Sequence, residues 1–407
     1  MIAMLLLSLV APVNQERQLS PDAILKSIES REDFGHFERE LVRWFGGEEQ
    51  LKKGIDVKLE DLSAVWAMRM PRGANTVTVE FEPWNPQTYL LGPLSVAPKE
   101  FSLRPLKLVA IGNEGLLVGG MRFADGAACR WRYAVDGKPF GGYHDLEAYK
   151  MPPESRQSSD IQPGKTEQQP PLTSKIFGGT KHDWWVYTPA NFDSTKESNL
   201  VIFQDGQWAH GYAPVYFDHL ISKGDLPQTV VLFVTPGTFP DGKSDRSREY
   251  DTLNDMYVRF LLEELLPPIE GKFKITSDPM KRCVAGLSSG GICSFTAAWQ
   301  RSDKFGLVMS WVGSFTDIAS GDSLRERGHN YPALIRKSPK KPIRIFLQDG
   351  ANDLDNVHGS WPLGNHEMAR ALEFSKYDYK AVWGNGFHSD KQGRAVMADA
   401  LRWLFRP

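Results

Sequence analysis

The chain has 407 residues, 41% of them hydrophobic and 24% charged, with a formal net charge of −2. That length exceeds one ordinary domain of about 100–200 residues and leaves room for a large core. A near-neutral balance sets up no long-range field for polyanions, which excludes nucleic acid as a partner class, and Cys129, Cys283 and Cys293 are too few and too scattered for a disulfide framework or a zinc site.

Residues 1–13 carry an apolar run, 2–10, that is too short to span a bilayer and reads as a signal-peptide core, although no positive charge precedes it and Pro12 follows Ala11. The expected location is periplasmic or secreted, with the cytoplasm as the alternative. An amino-terminal helical segment spans 18–60: Ser20-Pro21-Asp22 is a cap with a first-turn proline, and Phe34, Phe37, Leu41, Trp44 and Phe45 recur at helical spacing before Gly46-Gly47 stops the pattern. Over 61–151 the texture changes to short alternating runs such as Thr76-Val77-Thr78-Val79-Glu80-Phe81, broken by turns at Arg72-Gly73, Asp125-Gly126 and Asp136-Gly137. This predicts a small β-sandwich. Residues 152–172 hold Pro, Ser, Gln, Glu and Asp with almost no large apolar side chain, the composition of a linker.

From 173 to 407 strands and helices alternate. Strands are predicted at 183–188, 200–204, 229–234, 282–285, 307–311, 343–347 and 379–382, and helices at 256–266, 290–299, 366–374 and 394–405. Unbroken apolar strands between amphipathic helices imply a mostly parallel sheet covered on both faces.

Gly286-Leu287-Ser288-Ser289-Gly290-Gly291 lies between one such strand and a helix, the setting of a nucleophile elbow in an α/β-hydrolase fold. Ser288 is centred between glycines that a tight turn requires, and the following helix aims its amides at developing negative charge. A serine hydroxyl needs a base to take its proton and an acid to orient that base. His388 sits in a glycine-containing loop after the last strand, in Gly384-Asn385-Gly386-Phe387-His388-Ser389. Three acids follow the strand at 343–347: Asp353 is the preferred candidate, Asp349 the second, and Asp355 lies beside them. The oxyanion donors are expected to be the amide of Ser289 and that of Gln207 or Trp208, in a loop that Asp205 braces.

Several motifs in one order, Trp184-Trp185-Val186-Tyr187-Thr188-Pro189, Phe203-Gln204-Asp205-Gly206-Gln207-Trp208, Arg248-Glu249-Tyr250-Asp251, the elbow, Gly350-Ala351-Asn352-Asp353 and Gly386-Phe387-His388, resemble the esterase family that includes esterase D, feruloyl esterases and the catalytic domain of enterochelin esterase. The resemblance covers 175–407. It implies hydrolysis of acyl esters through an acyl-serine, with Ser288, Asp353 and His388 as the triad, and it favours Asp353 over Asp349 because the matching acid ends Gly-x-Asn-Asp. The family commonly has Gly-Gly-His where this chain has Gly386-Phe387-His388. More weakly, 64–151 resembles the early-set, immunoglobulin-like domain that precedes the hydrolase in enterochelin esterase-like proteins. The implied substrate is a small-molecule or carbohydrate ester, such as a sugar, hydroxycinnamoyl or siderophore-type ester, with no metal or organic cofactor and no membrane partner. Acyl transfer by the same fold, and a catalytically inactive carbohydrate-binding protein, are the alternatives.

Overall fold

The computed structural model describes residues 19–30, 38–82, 104–111, 115–318 and 327–407. The signal-like segment 1–13, and Phe34 and Phe37 of the helical pattern, lie outside the described residues. Inside them the amino-terminal pattern gives helices at Pro21–Ser30, Glu38–Trp44 and Glu48–Lys53. The last ends at Gly54, whose φ of 60° is the left-handed cap that a glycine supplies without strain.

The chain divides into two compact units. The first contains Arg104–Phe123 and Trp131–His144 together with residues up to Phe81. Strands Val57–Glu60, Ser63–Arg69, Leu116–Arg122 and Val109–Ile111 form one four-stranded sheet, and Leu106–Lys107, Val77–Glu82, Ala127–Val135 and Lys138–Ala148 form another. Inward side chains of the two meet as an edge-to-face pair, Trp66 with Trp131 at 5.8 Å between ring centroids, and Trp131 also packs edge-to-face on Tyr133 of its own strand at 5.4 Å.

The second unit contains Ala124–Arg130 and Asp145–Pro407 and is built on an eight-stranded sheet. Its strands are β1 (Lys165–Gln168), β2 (Trp184–Thr188), β3 (Asn199–Gln204), β4 (Thr229–Val234), β5 (Arg282–Leu287), β6 (Leu307–Trp311), β7 (Arg344–Gly350) and β8 (Asp378–Gly384). Their order is β8-β7-β6-β5-β3-β4-β2-β1, parallel from β8 to β4 and antiparallel at the two edge pairings of β2. Residues 165–168, read as linker from their polarity, form the edge strand. An edge strand needs only one hydrogen-bonding neighbour, and its mostly exposed side chains require no apolar pattern.

Successive side chains of a strand point to opposite faces, so one apolar run supplies two cores. Leu200, Ile202, Val284 and Ile345 pack with helices α2 (Ser289–Gln300) and α3 (Trp361–Phe374). Val201, Phe203, Ala285 and Phe346 pack on the other face with α1 (Ala213–Ser222) and α4 (Lys391–Leu404). Each fully buried Val, Ile or Phe contributes roughly 1.5–3 kcal/mol, which fixes the register of a sheet whose carboxyl ends carry the polar loops. Cys283 and Cys293 are buried, one in each core, and desolvation raises both thiols far above their ordinary value. The helix predicted at 256–266 is regular over Met256–Phe260 and closes with a π turn at Leu261–Leu265 before Pro267. Among the described residues no helix is long and apolar enough to cross a membrane.

Candidate active site

The loop from β5 into α2 puts Ser288 in a conformation that L-residues rarely adopt, φ 60° and ψ −126°. Its neighbours hold it there. Ser288 N donates to Trp311 O at 2.9 Å, and Ser288 O accepts from Ser314 N at 3.1 Å. A Cβ on Gly286 would lie 2.3 Å from Gly290 O, and one on Gly290 would lie 2.9 Å from an Asp205 carboxylate oxygen. The flanking glycines therefore reflect contact distances, as the sequence spacing implied.

His388 Nε2 lies 2.7 Å from Ser288 Oγ, and His388 Nδ1 lies 2.5 Å from Asp353 Oδ1. The structure thus brings the three predicted groups together, although 35 and 100 residues separate the pairs in sequence. Asp349 is buried behind them, where its carboxylate accepts from Gly350 N at 2.8 Å and Asn365 Nδ2 at 2.9 Å. Asp355 lies apart, on an exposed two-residue strand of a short hairpin.

Electrostatics separate the two inner acids. Burial, and then the Asp353 charge, push Asp349 well above the carboxylate range, which favours its protonated form over that of Asp353. Burial also raises Asp353, to about 7, against hydrogen bonds from the Asp349 carboxyl and from Leu354 N, the latter at 2.5 Å, which favour its ionised form. Burial lowers His388 to about 4, opposed by Asp349 and aided by the positive charge of Arg246. Its ring is neutral at neutral pH and can accept a proton at Nε2 while Nδ1–H points to Asp353.

The loop after β3 starts at Asp205, whose φ of 53° is left-handed. Arg246 grips the Asp205 carboxylate with two hydrogen bonds of 2.8 Å, and Gly206 packs so close that a Cβ would reach 2.3 Å from Val234 N. Trp208 N is taken by Asp205 O at 3.1 Å, whereas among the described residues no backbone acceptor takes the amides of Gln207 or Ser289. Ser289 follows Ser288 directly, and Gln207 lines a cavity together with Leu287. The Trp208 side chain is 61% exposed rather than a core residue.

Sequence reasoning missed Ser314, whose Oγ is 3.4 Å from Ser288 Oγ and accepts Trp361 Nε1–H at 3.0 Å. Its position just beyond β6, at the carboxyl end of a central strand, is the signal that could have found it. Trp361 also meets the His388 ring edge-to-face at 5.7 Å.

Two cavities border these groups. One of about 500 Å³ is largely apolar, with Phe203, Trp208, Tyr212, Leu287, Met309 and Trp311 in its wall. The other, about 460 Å³, has mostly polar residues in its wall, Ser288 among them, with Ser244, Arg246, Ser247, His358 and Trp361.

The family described as "Putative esterase" matches residues 175–400, more than half of the chain. The chain belongs to this esterase family. This family member is 26% identical over 238 residues to the iron(III) enterobactin esterase of Dickeya dadantii (strain 3937), a match covering 54% of this chain and 51% of that protein. It therefore spans about half the length of that curated relative. Among solved structures, the enterobactin esterase of Shigella flexneri, crystallised in the presence of enterobactin, superimposes with a TM-score of 0.58 and 17% identity over 88% of this chain and 97% of that one. The ferric enterobactin esterase of Salmonella typhimurium gives a TM-score of 0.57 and 17% identity over 89% and 98%. At such identities the likeness is one of fold, and the fold of this esterase-family chain is of the α/β-hydrolase type.

Proposed function

We propose that the protein is a serine carboxylic ester hydrolase working through an acyl-serine intermediate. The observation that carries this reading is the unbroken chain of contacts from Asp353 through His388 to Ser288, 2.5 and 2.7 Å long. His388 Nε2 takes the Ser288 proton as Oγ attacks the ester carbonyl, and the amides of Gln207 and Ser289 receive the oxyanion. The carbon–oxygen bond to the alcohol then breaks, and His388 returns its proton to the departing oxygen. Water, deprotonated by the same ring, attacks the acyl-serine, and the acid leaves as Ser288 recovers its proton. Asp353 accepts from Nδ1–H and keeps that tautomer throughout.

The substrate class is a polar, ring-bearing ester: a sugar, hydroxycinnamoyl or siderophore-type ester. A cavity with mostly polar residues in its wall, Ser288 and Arg246 among them, and an apolar one walled by aromatic rings support it, as does the description of the relatives as enterobactin esterases. The test is a panel of p-nitrophenyl, feruloyl, acetyl-sugar and catecholate esters, assayed with the parent protein and Ser288→Ala. Turnover of at least one class that vanishes in Ser288→Ala is expected, and cleavage surviving that substitution would refute the acyl-serine. Adding a sugar acceptor separates hydrolysis from acyl transfer: product partition stays with water for a hydrolase.

A further inference from the structure

We infer that Glu147, a residue remote in sequence from every motif of the site, is a positioning residue for His388; this rests on the serine-esterase reading above. Glu147 is 2% exposed, at the carboxyl end of the strand Lys138–Ala148 and within the same compact unit as the triad. Its carboxylate accepts a hydrogen bond from Ser389 Oγ at 2.8 Å and one from Tyr149 OH at 3.2 Å, and it also bonds to the Phe387 backbone. The residues on both sides of His388 are therefore tied to one carboxylate.

Gly386 shows how closely the loop is held. A Cβ there would lie 2.6 Å from Glu147 Oε2 and 2.7 Å from Tyr149 OH, so only glycine lets the backbone pass beneath them. On its other flank the loop is tied to the acid: Asn352 N donates to Gly386 O at 3.0 Å, and Asn352 Nδ2 donates to Asn385 O at 2.7 Å. The segment 385–389 thus lies between two grips, Asn352 next to Asp353 and Glu147 opposite. Together they set where the imidazole stands between its acid and Ser288.

Such a carboxylate is a costly choice for mere packing. Among the described residues no Lys or Arg forms an ion pair with Glu147, and burial raises its proton affinity, opposed first by the charge of Lys391 and then by the hydrogen bonds. A buried carboxyl group held by hydroxyls and an amide is explained by the placement it enforces on an adjacent catalytic group, where an error of about 1 Å costs about a hundredfold in rate.

The test uses full-length Glu147→Ala, Glu147→Gln, Ser389→Ala and Tyr149→Phe, with Ser288→Ala as reference. Readouts are kcat and KM on a p-nitrophenyl ester, thermal unfolding, and the downfield proton resonance of His388 Nδ1–H. Glu147→Ala is expected to lower kcat by roughly tenfold to a hundredfold with KM little changed, and to broaden or remove that resonance. Glu147→Gln is expected to stay within about threefold, because its oxygen still accepts and hydroxyls can reverse to accept from its amide. Wild-type kcat with an unshifted resonance in Glu147→Ala overturns the inference, as does a kcat loss that only follows loss of folded protein. If Glu147→Ala does not fold, Ser389→Ala and Tyr149→Phe decide: an unchanged kcat and resonance in both overturns it. Should the parent cleave no ester through Ser288, the esterase reading fails, yet the resonance still shows whether Glu147 holds His388.

Discussion

The amino-terminal sheets and the carboxyl ends of the eight-stranded sheet both place non-glycine residues in left-handed backbone, and they do so for different reasons. In the first region Asp61 (φ 48°) and Asp136 (φ 49°) occupy hairpin turns between antiparallel strands. There the turn itself demands positive φ, as Asp136-Gly137 signals in sequence. In the second region Asp205, Ser288 and Val312 adopt φ of 53°, 60° and 41° just beyond β3, β5 and β6. No hairpin requires it. The conformations are maintained by long-range contacts, such as Arg246 on Asp205 and Gln348 O on Val312 N at 2.7 Å. Strain that local chemistry satisfies builds a scaffold; strain imposed from a distance aims groups at a common point.

The hardest test of that contrast is chemical. Ser288→Ala and Asp353→Asn are each expected to lower kcat for ester cleavage by about 10⁴-fold, since either removes a member of a unit that acts together. Asp349→Asn, by contrast, should stay within about tenfold, because burial and the Asp353 charge favour the neutral form of Asp349 and asparagine is neutral and of equal size. If Asp349→Asn proved as damaging as Asp353→Asn, the assignment of charge between the two acids would be wrong.

In the scaffold region the corresponding test is one of packing. Trp131→Ala removes a ring that is 1% exposed and packed edge-to-face against Trp66 and Tyr133. A loss of about 3–5 kcal/mol is expected in denaturant unfolding. A loss below about 1 kcal/mol would mean that this aromatic cluster does not organise the sheets. Arg246→Ala addresses the other kind of strain: with its two 2.8 Å bonds gone, Asp205 loses its anchor, and kcat should fall by about a hundredfold while the fold persists. Wild-type kcat in that variant would show that the oxyanion loop holds itself.

The same contrast decides what could be read from residues alone. The elbow was legible because a Cβ on its glycines would approach neighbours to less than 3 Å, and strand ends were legible because 200–203 and 230–234 are unbroken apolar runs. Choosing Asp353 over Asp349 was not possible from spacing, since the two lie four residues apart at the carboxyl end of β7; the Gly-x-Asn-Asp resemblance made the choice. Gln207 and Trp208 were inseparable because which amide is free depends on the Asp205 dihedral angle, which no pattern records. Ser314 and Glu147 escaped because each acts through tertiary contact, 26 and 242 residues from Ser288 and Ser389 respectively. The edge strand at 165–168 escaped because one-sided pairing leaves no hydrophobic period.

The smallest effect expected is one of pH. The proposed mechanism needs His388 neutral, and burial holds its imidazole below the ordinary value of 6.5, so that form is already complete at neutral pH. Activity is then lost only as pH falls through the lowered value, since protonation at Nε2 removes the acceptor for the Ser288 proton. Between about pH 6.5 and 8, kcat/KM for p-nitrophenyl acetate should change by less than about twofold, with the acid limb below 6.5. A limb centred above 6.5 would mean that the Asp353 charge, at 2.5 Å from Nδ1, outweighs burial and stabilises the imidazolium in the resting site. Repeating the profile with Asp353→Asn separates the two causes: removing the charge leaves a limb set by desolvation where it is, but lowers one raised by the ion pair.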